Sequence, residues 1–352
     1  MNWENNVRKV VPYVPGEQPK KLNMVKLNTN ECPYPPAPGV EKLLKEMDYS
    51  ESRLYPDPEI KELTSQLASY YGVKKEQVFV GVGSDDVLAM AFLTFFNSKD
   101  PILFPDITYA FYDVWADLYK IPYKTCPLKE DWHIDPKDYE QKNGGVVIAN
   151  PNAPTGLEES QQVIDHILQA NQDVVVIVDE AYVDFGGTSA LPLVDKYENL
   201  LVVQTFSKSR SMAGLRIGFA IGSEKIIKYL NDAKFSFNSY TLNMPSQILG
   251  VEAIRDNAYF KNTVHKIITT RERVKKELAE LGFSFPDSKT NFIFASHKSV
   301  PAEEIYTALK EADIYVRFWN KPRINNSLRI SIGTDEEMDI LLAFLKKYLS
   351  DK

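Results

Sequence analysis

The apolar positions of the chain fall into short unbroken runs, each followed by a turn and then by a stretch with helical spacing. Gln77–Val82 (QVFVGV) is the first, leading through Gly83-Ser84-Asp85-Asp86 into an apolar helix over Val87–Phe96. Pro101–Phe104 and Val146–Ala149 read as strands, with helices predicted at Tyr109–Leu118 and Glu158–Ala170. Val174–Val178 (VVVIV), Leu200–Gln204 and Ile217–Ile221 suit strands buried on both faces of a parallel sheet. Short apolar strands alternating with helices predict an α/β domain with a largely parallel sheet. Ahead of it, residues 1–38 are irregular and Pro-rich, with a β-like piece at Met24–Leu27. Helical patterns follow over 39–47 and 58–71, the second with Asp57 as N-cap and Pro58 in its first turn.

From about residue 255 the texture changes. A long charged helical stretch over Asn262–Leu281, strands at Asn291–Ala295 and Leu328–Ile332, and an amphipathic helix at Glu336–Tyr348 predict a smaller α+β domain. The expected division is a large domain at 39–254 and a small domain made of 1–38, as an N-terminal arm, with 255–352.

Composition excludes more than it specifies. Hydrophobic residues make up 44% and charged residues 25% of 352, ordinary for a soluble globular protein. No apolar run approaches the ~20 residues that span a bilayer, and the opening MNWENNVRKVVPYVPG has no apolar signal core. The expectation is a cytoplasmic protein with no membrane contact. Net charge is −7 with basic residues dispersed, so no nucleic-acid partner is expected. His133, His166, His265 and His297 stand at no metal-ligand spacing, and no metal is expected. Cys32 and Cys126 are expected to be free thiols.

Ligands of open α/β sheets bind beyond the carboxyl ends of the strands, so the residues just after each apolar run carry the chemistry. After QVFVGV, Gly83 allows a tight turn and Ser84 is placed to N-cap a helix whose start is an anion site. Gly81-Val82-Gly83 lacks the third glycine of a dinucleotide fingerprint, which disfavours a Rossmann oxidoreductase. After VVIA comes Asn150-Pro151-Asn152-Ala153-Pro154-Thr155-Gly156, a proline-stiffened loop. Asp179 and Glu180 end VVVIV, where a carboxylate needs a partner: a structural one or a ligand. Ser207-Lys208 follow LLVVQTF and precede Arg216. A lysine there is either a solvated surface residue or, partly desolvated beside another cation, a nucleophile. An anion cradle, an amide, a carboxylate, a lysine and an arginine on successive strand ends make up the inventory that pyridoxal 5′-phosphate (PLP) chemistry needs.

These residues carry a family resemblance. Leu27-Asn28-Thr29-Asn30-Glu31, Tyr55-Pro56-Asp57-Pro58, Gly83-Ser84-Asp85-Asp86, Asn150-Pro151-Asn152 with Pro154-Thr155-Gly156, Asp179-Glu180-Ala181-Tyr182, Thr205-Phe206-Ser207-Lys208 and Gly214-Leu215-Arg216-Ile217-Gly218 resemble the motifs of fold-type I PLP-dependent aminotransferases. Within that superfamily the chain is most similar to the histidinol-phosphate aminotransferases. The resemblance implies that Lys208 carries PLP as a Schiff base and then acts as general base and acid. It implies that Asp179 keeps the pyridine nitrogen protonated, that Asn152 and Tyr182 bind the ring oxygen and that Tyr109 stacks on the ring. The phosphate is then held by the N–H groups of Ser84 and Asp85 with Thr205, Ser207 and Arg216. Tyr55 is implied to reach the phosphate of the neighbouring subunit's cofactor, which makes a homodimer with shared active sites the expected assembly.

For the substrate, the resemblance places the carboxylate on Arg329, in the strand LRISI, with Asn30 nearby. Glutamate and 2-oxoglutarate are the implied common pair. Histidinol phosphate has no α-carboxylate, so one site must accept a carboxylate in one half-reaction and a phosphate monoester in the other. Arg317, with Tyr13 as a hydroxyl donor, is the expected second cation, and Arg323 is expected in a loop salt bridge. An aromatic or broad-specificity aminotransferase shares every cofactor residue, and a PLP-dependent decarboxylase of phosphorylated amino acids shares most of them. The chain departs from the family pattern at Cys32, at Ala153, and at Ser209-Arg210-Ser211-Met212, where Arg210 is expected to be an exposed turn residue. It departs again at Phe318-Trp319-Asn320-Lys321-Pro322-Arg323, which lacks a usual glycine beside the substrate arginine.

Overall fold

In the computed structural model, which describes residues 2–352, the apolar runs become one seven-stranded sheet. In chain order the elements to residue 255 are β1 (Val25–Lys26), α1 (Pro38–Glu46), α2 (Lys61–Tyr71), β2 (Val78–Gly81), α3 (Ser84–Phe95), β3 (Ile102–Pro105), α4 (Tyr112–Tyr119), β4 (Tyr123–Cys126), β5 (Gly145–Ala149), α5 (Gln161–Ala170), β6 (Val176–Asp179), β7 (Leu200–Thr205), β8 (Gly218–Gly222), α6 (Glu224–Phe237) and α7 (Met244–Arg255). The sheet order is β2-β8-β7-β6-β5-β3-β4. Only β8 runs antiparallel to its neighbours β2 and β7. The remaining pairs are parallel, as the unbroken apolar runs predict.

Both sheet faces are covered. On one, Val147, Ile177, Leu201 and Val203 pack with Leu88 and Phe92 of α3, Trp115 of α4 and Leu230 of α6. On the other, Val146, Ile148, Val176, Val178 and Val202 pack with Ile164, Ile167 and Leu168 of α5. Adjacent residues of each strand serve opposite cores, the alternation a pleated strand imposes. The edge strand β4 carries no apolar run because three of its four residues are exposed. Helix α2 begins three residues later than its pattern predicts. Ile60 adopts a left-handed φ of 53°, and the Asp57 carboxylate accepts from the N–H groups of Glu59 and Lys61 in the turn ahead of the helix.

The rest of the chain contributes α8 (Asn257–Glu280), β9 (Phe283–Ser284), β10 (Phe292–His297), α9 (Ala302–Glu311), β11 (Ile314–Tyr315), β12 (Arg317–Phe318), β13 (Leu328–Ser331) and α10 (Asp335–Ser350). An antiparallel sheet, β12-β13-β10-β9, shares a core with α8, α9 and α10. β1 pairs in parallel with β11, so Val25 and Leu27 belong to this core. By contrast, Val40, Leu63 and Ile254 pack on Phe219 and Ile221 of β8. On that division of cores we propose 39–254 as the larger unit and 1–38 with 255–352 as the smaller.

Candidate active site

A cavity of about 550 Å³ opens at the carboxyl ends of the parallel strands, lined by Ser84, Asp85, Tyr109, Asp179, Tyr182, Ser207, Lys208 and Arg216 among others. Segments more than a hundred residues apart meet here because the parallel strands end, and the antiparallel β8 begins, at the same sheet edge.

The cradle is built first. β2 ends in Gly81, and Gly83, with φ 83°, turns the chain into α3. Ser84 is the first helical residue; the N-cap is Gly83, which corrects the expectation that Ser84 caps. No cap side chain occupies the first-turn N–H groups, so the positive end of α3 faces the cavity. Glycine suits position 83 because its φ lies in the left-handed region, and a Cβ there would also stand 2.5 Å from Nη2 of Arg216. Gly218 is required more strictly: its Cβ would lie 2.2 Å from both the Gly83 carbonyl carbon and the Ser84 nitrogen. Gly218→Ala must therefore displace the cradle itself, and overpacking of this kind costs ~1–3 kcal/mol. We expect a lower melting temperature and a smaller thermal stabilisation on adding PLP, checked by melting the protein with and without cofactor. Arg216, with φ 53°, turns its guanidinium inward, and Nη2 donates to Oδ2 of Asp85 at 3.1 Å. The Tyr109 hydroxyl donates to the other Asp85 oxygen at 2.7 Å.

Asp179 ends β6 and is 5% exposed. Tyr112 Oη donates to its Oδ2 at 2.8 Å and the Ala181 N–H donates to Oδ1 at 3.2 Å. No cation among the described residues pairs with it, and burial pushes its carboxyl up to about 6. Glu180, one residue on, faces away from the cavity. It accepts from Gln204, Ser189 and the Ala190 N–H, and burial pushes it up to about 7. The two carboxylates are thus separated into one that faces a ligand space and one that is structural.

Lys208 is half-buried, and its Nζ donates to the Thr29 carbonyl at 3.2 Å. Among the described residues it pairs with no carboxylate within 4.0 Å. Nζ also stands 5.8 Å from the centre of the Tyr182 ring. Tyr182 Oη accepts from Asn30 Nδ2 at 2.9 Å. Asn30 itself is buried, its Oδ1 accepting from Ser331 and its carbonyl from Asn291. The arm Asn28-Thr29-Asn30 therefore runs between the lysine and Arg329, whose Nη2 donates to the Asn28 carbonyl at 2.9 Å.

A second cavity of about 1430 Å³ adjoins the first through Tyr109 and Ala153, with Tyr13, Phe104, Trp319, Arg323 and Arg329 on its walls. Tyr13 stacks on Phe111 with ring centres 4.2 Å apart. Arg317 and Arg329 are directly opposed on β12 and β13. Arg329 Nε is buried without a hydrogen-bond partner, and burial lowers the guanidinium's affinity for its proton. Arg323 makes the salt bridge expected of it, to Asp106 at 2.9 Å, and also donates to the Leu128 and Lys129 carbonyls.

Several named residues stand elsewhere. Asn152 is buried, accepts from Thr108 and donates to the Ile107 carbonyl and Thr155, so its amide serves its own loop while Pro151 and Ala153 line the cavity. Thr205 is buried, accepts from the Ser207 N–H and does not line the cavity. Tyr55 is 80% exposed and stacks on Tyr240 at 4.5 Å. Arg210 is not an exposed turn residue: it is 7% exposed, 4.0 Å from the Phe260 ring and also over Tyr70 and Phe206. Three ring faces make that burial tolerable for a guanidinium. Sequence reasoning did not single out Tyr112, three residues beyond Tyr109, whose hydroxyl reaches Asp179, and it had no means of finding the Thr29 carbonyl.

A lysine and a buried carboxylate on neighbouring strand ends, facing a helix-start anion cradle, are the arrangement of an enzyme that works with a phosphorylated pyridine cofactor. The family model for aminotransferase class I and II matches residues 23–345, and the chain belongs to that family. It is 53% identical to a histidinol-phosphate aminotransferase of Lactococcus lactis subsp. cremoris over 352 residues, 100% of this chain and 99% of that protein. It is 52% identical to one of Brachyspira hyodysenteriae over 343 residues, 97% of each. In fold it is similar to the crystal structure of histidinol-phosphate aminotransferase from Sinorhizobium meliloti in complex with pyridoxal-5′-phosphate. The TM-score is 0.85 at 22% identity, covering 93% of this chain and 91% of that one. The expected fold and cofactor class hold. Among the described residues no helix is long and apolar enough to cross a membrane.

Proposed function

We propose that this aminotransferase interconverts histidinol phosphate and 2-oxoglutarate with imidazole-acetol phosphate and glutamate, a step of histidine biosynthesis. The observation that carries this reading is the pair of opposed guanidiniums, Arg317 and Arg329, without an acidic partner among the described residues, beside a roomy aromatic cavity that joins the cofactor cavity. Full-length identity to the Lactococcus protein supports it.

The residues present fit PLP. Uncapped N–H groups of α3 with Ser207 and Arg216 suit its phosphate, and among the described residues Asp179 makes no ion pair with a cation and Lys208 none with an acid. When bound, the cofactor supplies a sink for the electron pair left at the substrate Cα. The N–H groups of Ser84 and Asp85, with Ser207 and Arg216, would hold the phosphate, and Asp179 would keep a proton on the ring nitrogen. Tyr182, oriented by Asn30, would bond the ring oxygen, and Tyr109 would lie against the ring. Lys208 Nζ takes the Cα proton and returns a proton in the later transfer. Arg329 grips the carboxylate of glutamate, and with Arg317 and Tyr13 it grips the phosphate of the other substrate. Asn30, expected at the substrate, is assigned here to orienting Tyr182.

We also propose a cytoplasmic homodimer. The exposed Tyr55 stacks on the exposed Tyr240, and Tyr49, Leu54 and Phe237, close to them in sequence, are exposed as well, which supports a surface for a second copy. Cross-linking or light scattering at rising protein concentration tests it.

The functional test is a half-reaction screen. Cofactor-loaded protein is mixed separately with histidinol phosphate, phenylalanine, tyrosine and glutamate, and the visible absorbance is followed. Histidinol phosphate is expected to react with at least ~10-fold higher efficiency than phenylalanine, the worth of one well-made anion contact. Equal efficiencies favour the aromatic or broad-specificity reading, and release of carbon dioxide from a phosphorylated amino acid favours the decarboxylase.

A further inference from the structure

Trp319 is left without a task by the mechanism above. It follows β12 in the segment where the family glycine is missing, and it is half-buried on the wall of the larger cavity. Its indole stands 5.2 Å from the guanidinium carbon of Arg317 and 5.2 Å from that of Arg329. Those two arginines occupy directly opposed positions on antiparallel strands. Like charges so placed repel, and Arg317 is among the groups that depress the affinity of Arg329 for its proton, after burial. The ion pairs made by arginines among the described residues belong to Arg216, Arg255, Arg271, Arg273 and Arg323, so neither member of this pair is neutralised by a carboxylate. Each has one carbonyl instead, Asn28 for Arg329 at 2.9 Å and Val14 for Arg317 at 3.4 Å. Phe292 adds a second ring face to Arg329 at 5.3 Å. Trp319 is the one side chain in this group that serves both.

We propose that Trp319 is the positioning residue of a two-arginine anion clamp: one indole, shared by both guanidiniums, holds them together and ordered until a carboxylate or phosphate monoester arrives to neutralise them. The ring quadrupole attracts both cations without supplying an anion that the substrate would have to displace. A carboxylate in the same place would order the arginines equally well but would compete with every substrate. Holding two flexible side chains in their bound geometry removes part of the ordering cost from the binding step. The effect therefore belongs in affinity for anionic substrates and not in the rate of the bound complex.

This inference rests on the assignment of Arg329 and Arg317 to the substrate anion, and the two fail separately. Cofactor-loaded wild type, Trp319→Leu, Trp319→Phe, Arg329→Ala and Arg317→Ala are compared, with far-UV circular dichroism and melting to establish that each is folded. The substrates are glutamate, 2-oxoglutarate and histidinol phosphate, with histidinol, which carries neither carboxylate nor phosphate, as the control without an anionic group. Trp319→Leu is expected to raise KM for each anionic substrate about 10-fold, ~1.4 kcal/mol of binding, with kcat within about 2-fold. Phenylalanine at 319 recovers most of the loss because it retains a ring face. Apparent affinity for histidinol is unchanged. Equal losses for histidinol, or a loss in kcat instead of KM, overturn the proposal and make Trp319 a cavity wall. If both arginine variants keep wild-type KM values, the anion-site assignment itself fails. If they lose affinity while Trp319→Leu does not, only the role of Trp319 falls.

Discussion

Replacing Lys208 with alanine lowers turnover of every amino donor by about 10⁴-fold or more, since a placed acid–base group alone contributes ~10²–10⁴ and covalent attachment adds to it. The fold tolerates the change. Lys208 is half-buried, and among the described residues its one hydrogen bond goes to the backbone carbonyl of Thr29. Nζ makes no ion pair with a carboxylate among the described residues, so no buried charge is stranded by the truncation. The melting temperature of the cofactor-free variant is expected to stay close to wild type, a polar substitution at a solvated site costing ~0.5 kcal/mol or less. The decisive measurement is chemical. Borohydride treatment followed by mass spectrometry fixes the cofactor to the wild-type chain and not to Lys208→Ala. A reducible adduct that persists in the variant places the attachment on another lysine and removes the basis of the site.

The readability of this site follows from where each contact originates. Asp179, Lys208 and Ser84 were legible because each directly follows an apolar strand, and a parallel sheet delivers all such residues to one edge. The orientation of those groups was not. Tyr112 reaches Asp179 across 67 residues, Asn30 reaches Tyr182 across 152, and Thr29 meets Lys208 through a backbone oxygen that leaves no side-chain signal. Asn152 shows the converse. Its motif pointed at the cofactor, yet its amide is engaged by Thr108, Thr155 and the Ile107 carbonyl, partners fixed by how β3 and β5 lie side by side. Arg210 was misjudged because a basic residue between serines has the composition of an exposed turn, whereas three aromatic rings from α2, α8 and the β7 end enclose it. The edge strand β4 and the helices α6, α7 and α9 went unassigned in the same way, since none contains the run of apolar residues that marks a central strand.

Asp179→Asn separates catalysis from stability. In the cofactor-loaded enzyme an amide cannot hold a proton on the ring nitrogen as a carboxylate does. Removing one member of a buried ion pair costs ~3–5 kcal/mol, so turnover should fall by about 10²–10⁴-fold. In the cofactor-free protein the sign reverses. Burial raises the Asp179 carboxyl from 3.8 to about 6, outweighing the Tyr112 and Ala181 hydrogen bonds that favour the ionised form. A folded-state value above the unfolded one means that the stabilising contribution belongs to the protonated acid. It is complete below about pH 4 and is lost as pH rises through about 6. Above that the wild-type chain carries a buried, unpaired carboxylate costing on the order of 3 kcal/mol. Asparagine is neutral throughout and fits the same partners, its oxygen accepting the Ala181 N–H while Nδ2 donates to the Tyr112 oxygen. Urea unfolding of the two cofactor-free proteins should therefore give similar stabilities near pH 3.5 and a more stable variant at pH 8. Glu180, raised from 4.5 to about 7 by the same burial, continues to lower the stability of both across that range, so the difference between the proteins isolates Asp179. Saturating PLP should close the gap by giving the wild-type carboxylate its cation. A variant no more stable than wild type at pH 8 without cofactor would mean that Asp179 already has a partner in the empty site, and that the site is not held in wait for a protonated ring.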